Sequence, residues 1–82
     1  MKAVVYHTNV MRGMYSAILP DGSFSVFELV DPRELDMYTE VSGDFEAYGD
    51  REIFYLDDKL HVHIDHYGLN EMAAFSKTFL RE

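Results

Sequence analysis

The chain has 82 residues, 48% of them hydrophobic and 15% aromatic, with a formal net charge of −8 and no cysteine. That length holds one core and not two; the composition excludes a disordered chain, and the missing thiols exclude disulfide scaffolds, thiolate metal sites and cysteine nucleophiles. Eleven of the fifteen acids lie between Glu28 and Asp58, beside only two bases, Arg33 and Arg51, so this middle stretch is expected to face solvent and to repel a bare phosphate backbone.

Turn signals recur between short β-branched and aromatic runs, as they do in all-β barrels and sandwiches. Ala3 to Thr8 reads as a first strand. Residues 12–19 and 23–30 flank Pro20-Asp21-Gly22, the strongest hairpin signal in the chain. With Asp21 and Gly22 as a two-residue turn, Leu19 faces Phe24, Ala17 faces Val26 and Tyr15 faces Glu28. Both faces of this ribbon are then partly apolar, which predicts a strong bend over the core. Asp31-Pro32-Arg33-Glu34-Leu35 has the pattern of a capped helical turn. Residues 38–47 alternate loosely, and Gly43 marks a bulge or bend. Residues 51–56 and 60–66 form a second hairpin; with Asp58-Lys59 as its turn, Ile53 faces Ile64 and Tyr55 faces Val62. Asn70 caps a helix over 71–80 with Met72, Phe75, Ser76 and Phe79 on one face. The competing reading is a short edge strand at Thr78-Phe79-Leu80. The expectation is one domain over 1–82, an all-β, five-stranded barrel with a short C-terminal helix.

In outline the pattern resembles an OB-fold. The resemblance is carried by Gly13 to Ile18, Asp21-Gly22, Phe24 to Leu29, Gly43-Asp44 and Ile53, and covers about two-thirds of the chain. It implies a surface for oligonucleotides, oligosaccharides or proteins on one face of the barrel. This chain departs from the nucleic-acid-binding members, because no basic residues interleave its strands and acids stand where a binding loop would be.

His61-Val62-His63-Ile64-Asp65-His66 is the most pointed local feature. In a strand, His61, His63 and Asp65 share one side and His66 takes the other. Imidazoles two residues apart can chelate a metal, with Asp65 or a cross-strand Glu52 adding an oxygen; the plainer reading is the polar side of a half-buried strand. No serine sits in a nucleophile-elbow setting and no glycine motif cradles phosphate, so neither catalysis nor a cofactor is expected. Between Asp36 and Asp50 aromatics alternate with acids, and Tyr38, Glu40, Asp44, Phe45, Glu46, Tyr48 and Asp50 are the candidate contacts for a protein partner.

The reading is thus a non-enzymatic module that binds a protein partner through its acidic–aromatic middle; in a sharper variant the carboxylates imitate a nucleic-acid backbone and occupy a basic groove on that partner. A nucleic-acid-binding barrel using Lys2, Arg12 and Lys59 is the runner-up, and a metal site at His61 and His63 comes third. No stretch is long and apolar enough for a membrane span or a secretory leader, so a cytoplasmic location is expected.

Overall fold

A computed structural model describes residues 1–79. Six strands close into a barrel: β1 (Lys2–Asn9), β2 (Met14–Ile18), β3 (Phe24–Leu29), β4 (Glu40–Gly43), β5 (Gly49–Tyr55) and β6 (Asp58–Leu69), followed by helix α1 (Glu71–Phe79). Around the ring the order is β1-β2-β3-β6-β5-β4, each neighbour antiparallel. The all-β class and the short helix match the sequence reading, but the strand count is six and not five. The loosely alternating 38–47 segment supplies the extra strand, β4, which closes the ring by pairing Ala3 with Val41. At the end of β4 the backbone passes so near β5 that a Cβ on Gly43 would lie 2.9 Å from Ile53 Cγ2, so glycine is required there.

The first hairpin turns at the expected place with a different register. Leu19 N–H donates to the Ser23 carbonyl and Gly22 N–H to that of Leu19, with Gly22 at φ +87°. This is a three-residue loop ending in a left-handed glycine, the next most favoured solution after the two-residue turn. It pairs Tyr15 with Phe27 and Met14 with Glu28. The second hairpin turns at Leu56-Asp57, pairing Tyr55 with Asp58 and Ile53 with Leu60. The Asp31–Leu35 helical turn does not form. Val30 N–H donates to the His61 carbonyl, and His61 N–H donates back to Asp31 Oδ2 at 2.7 Å. The Asp31 carboxylate, which a helix would need for its cap, thereby continues the β3–β6 ladder.

Tyr15, Phe27, Phe45, Leu35, Ile53 and Ile64 are among the side chains that fill the barrel, and the Tyr15 and Phe27 rings stack at 5.9 Å. A second apolar layer lies outside it, where Met14, Phe24, Val26, Ile18 and Leu69 pack with Ala74 of α1. Both faces of the β2–β3 ribbon are therefore covered, one by the barrel interior and one by the helix. Asn70 caps α1, its Oδ1 accepting the Ala73 N–H at 2.8 Å. The Asn9 side chain donates to the Thr78 carbonyl at the far end. The competing strand reading at Thr78-Phe79 fails, and Leu80 lies outside the described residues. The buried face also differs from expectation. Ala74 and Thr78 point inward, whereas Met72 is 83% exposed. Small side chains let the helix lie close on a surface already supplied with Phe24, Val26 and Met14.

Among the described residues no helix is long and apolar enough to cross a membrane. Because Ala74 is fully buried against the ribbon, Ala74→Leu is expected to overpack this layer and cost about 1–3 kcal/mol. Met72→Leu on the exposed side should stay within ~0.5 kcal/mol of the parent. Chemical denaturation of the two variants checks this, and equal stabilities would contradict the assignment of the buried face.

Candidate functional site: the acid–histidine face

The outer face of β5, much of β6 and the end of β3 is uncovered, and alternation places its polar residues in cross-strand rows. Glu28, His63 and Asp50 stand side by side on β3, β6 and β5, and His61 stands beside Glu52. His63 Nδ1 lies 2.9 Å from Asp50 Oδ1, and its Nε2 lies 3.5 Å from Asp65 Oδ1. His61 Nδ1 lies 3.3 Å from Asp31 Oδ2, and its Nε2 lies 3.4 Å from Glu52 Oε2. Each imidazole is thus held between two carboxylates, and Glu28 adds a fifth acid beside them.

The Asp50 hydrogen bond, then the charges of Asp65, Asp50 and Glu28, push the His63 pKa up against a smaller desolvation effect. Asp31 is held below the usual carboxylate range, chiefly by the His61 backbone N–H. An open hollow of about 660 Å³ lies here, lined by Val30, Asp50, Arg51, Glu52, His61 and Val62. Val30 is 63% exposed. Arg51 is the one base on the hollow, and its guanidinium is turned to the Asp50 carbonyl at 3.1 Å.

Of the residues expected to form one binding patch, Asp50 lies in this face. Tyr48 is exposed and packs on Tyr67 of β6 with ring centroids 4.7 Å apart. The others are dispersed. Glu40 is on β4, 4.0 Å from Lys2. Asp44 accepts the Glu46 N–H in a local turn, and Tyr38 leans edge-on against Tyr6 of β1. Phe45 is a correction: it is 0% exposed, 5.8 Å from the Phe27 ring, and serves the core rather than a partner. The 38–50 segment wraps along β4 and into β5, so its side chains do not share a face.

The acids nevertheless remain segregated. Those carried on strands, Glu28, Glu40, Asp50, Glu52, Asp58 and Asp65, lie on β3, β4, β5 and β6, four consecutive staves of the ring, while β1 and β2 carry none. Sequence reasoning had no signal for Glu28 and Asp31 as members of the histidine face, because only the β3–β6 pairing brings them there. Lys2, Arg12 and Lys59 do not converge. Lys2 sits on β1, Arg12 on the 3-10 turn after it, and Lys59 on β6, 3.8 Å from Glu52. Among the described residues no group of three or more His, Asp or Glu is arranged to hold a metal ion; the nitrogens of His61 and His63 face carboxylates instead. Comparison of the chain with protein-family models, with curated proteins and with solved structures finds no match.

A second histidine behaves oppositely. His7 is buried between barrel and helix, with Nδ1 2.6 Å from Ser16 Oγ, and burial pushes its pKa down more than nearby Glu71 raises it. The stability supplied by the His63 contacts is therefore fully present below the ordinary imidazole pKa of about 6.5 and is lost as pH rises through the raised value. That tied to neutral His7 is present above about 6.5 and lost as pH falls through the lowered value. In an NMR titration His63 should reach its midpoint above, and His7 below, that of a free imidazole. Asp50→Asn should bring His63 down and leave His7 unmoved; coincident midpoints in the parent would contradict the geometry.

Proposed function

We infer that this protein is a non-enzymatic binding module, working in the cytoplasm, that engages a basic segment of a protein partner on the outer face of β3, β6 and β5. The supporting observation is the cross-strand grouping of Glu28, Asp31, Asp50, Glu52 and Asp65 around two histidines, beside an exposed Val30 and an open hollow. Charge complementarity with such a partner speeds encounter and fixes register, and the apolar patch at Val30 and the Tyr48–Tyr67 pair provide the uncharged contacts that hold a complex together. Acids set along neighbouring strands suit a partner whose groove otherwise takes a phosphate backbone. A nucleic-acid ligand fits poorly, since it would meet this field with its own charge. Catalysis is not supported either, because the carboxylates here stand on an open surface rather than in a desolvated cleft.

A lysine- and arginine-rich peptide titrated into the protein at low salt provides the test. Binding is expected to weaken as salt rises, and Asp50→Asn with Glu52→Gln should weaken it about tenfold or more. Asp44→Asn with Glu46→Gln, on the β4–β5 loop, should leave it nearly unchanged. Equal losses from the two pairs would reduce the face to general acidity.

A further inference from the structure

β1 carries a bulge between Val5 and His7: Val5 pairs with Ala17 and His7 with Ser16, leaving Tyr6 without a partner on β2. A bulge sends consecutive side chains to one side of a strand. Tyr6 and His7 therefore both point outward, toward the start of α1, with their rings edge-on at 5.0 Å. Beside them lies a second open hollow of about 530 Å³, lined by His7, Asn70, Glu71, Met72 and Phe75. We propose that this hollow binds an organic cation, an alkylammonium or guanidinium group, with Glu71 as counter-charge and His7 and Phe75 as aromatic walls.

Three observations carry this. His7 is 9% exposed, and its Nδ1 is committed to Ser16. Among the described residues its Nε2 has no hydrogen-bond partner, yet no buried side-chain nitrogen or oxygen there is left unpaired. Nε2 is therefore not fully enclosed, and His7 lines the hollow. Burial lowers the His7 pKa more than Glu71 raises it, which disfavours a positive charge on the ring beside a bound cation.

The second observation is aromatic density. Two of the five lining residues are aromatic, and Phe75 stands edge-on to His7 at 5.5 Å. Aromatic rings on the wall of a hollow suit a cation, which is drawn to the negative quadrupole of a ring face.

The third is charge. Glu71 lines the hollow, and its charge is the largest cause that raises the Tyr6 pKa. Among the described residues no lysine or arginine lines the hollow. The positive end of α1 opposes a cation, but it amounts to about half a charge, is partly quenched by the Asn70 cap, and is outweighed by a whole carboxylate. An anion would meet Glu71 directly, and a neutral guest would gain nothing from it. The hollow lies at β1 and α1, whereas the acid–histidine face lies on β3, β6 and β5, so the two sites succeed or fail separately.

The test follows backbone amide shifts while N-acetylarginine amide, N-acetyllysine amide and tetramethylammonium are titrated in, with N-acetylcitrulline amide as the uncharged isostere of arginine. The cations are expected to move the Tyr6, His7, Glu71 and Phe75 amides saturably, with citrulline amide at least about tenfold weaker. Glu71→Gln should weaken every cation about fivefold or more, and Phe75→Leu should weaken tetramethylammonium by a similar factor; each variant is first checked for an otherwise unchanged amide spectrum. Preference for tetramethylammonium supports the site with a free quaternary ammonium as guest; preference for the amino-acid amides supports it with a peptide side chain as guest. Equal shifts from arginine and citrulline amides, full affinity in Glu71→Gln, or shifts confined to β5 and β6 would overturn it.

Discussion

The β2–β3 ribbon is apolar on both faces, and a ribbon of that kind is stable only if something covers each side. Tyr15, Ala17, Phe27 and Leu29 point into the barrel, while Met14, Ile18, Phe24 and Val26 point out of it. Closing six strands into a ring buries the first set and leaves no unpaired strand edge. The second set would face water without α1. The helix meets it with Ala74 and Thr78, residues small enough for close approach, and Thr78 keeps its hydroxyl satisfied on the Ala74 carbonyl.

This arrangement decides where function can sit. With β1, β2 and most of β3 under the helix, the uncovered part of the ring is β6, β5, β4 and the end of β3, and every acid carried on a strand lies there. The histidines follow the same division. His61 and His63, on the open side, are held in place by carboxylates. His7, at the margin of the covered side, is held by burial and by Ser16. One residue type thus meets opposite environments on the two sides of the ring, which is why the burial at His7 and the carboxylates at His63 shift their protonation in opposite directions.

Much of the fold was legible in the sequence: its β-rich class, the Pro20-Asp21-Gly22 turn, the Asn70 cap, and the shared side of His61, His63 and Asp65. Each is a local property, set by propensity, turn chemistry or strand alternation. What was not legible depends on residues distant in sequence. The two-residue and three-residue loops use the same Asp-Gly signal, so the first register missed by one residue. The second missed because Leu56, a non-glycine residue at φ +56°, takes the turn where no glycine marks it. The inner and outer faces of β2 and β3 could not be assigned before the helix was known to cover one of them, and that ambiguity was read as a bend. Alternation along β1 turns His7 inward with Val5, and only the bulge at Tyr6 turns it outward. Asp31 looked like a helix cap because the amide that claims its carboxylate, His61 N–H, lies thirty residues away.

The central claim is that α1 is a structural half of the outer layer and not an appendage. Native-state hydrogen exchange tests it most directly, by comparing the opening free energies of the Ala74 and Thr78 amides with those of the β2–β3 ladder. If the ribbon depends on the helix, these amides exchange through one common opening, with free energies agreeing to within about 1 kcal/mol. Helix amides that exchange through a separate, much cheaper opening, while β2 and β3 stay protected, would show that the ribbon stands without its cover and would contradict the account.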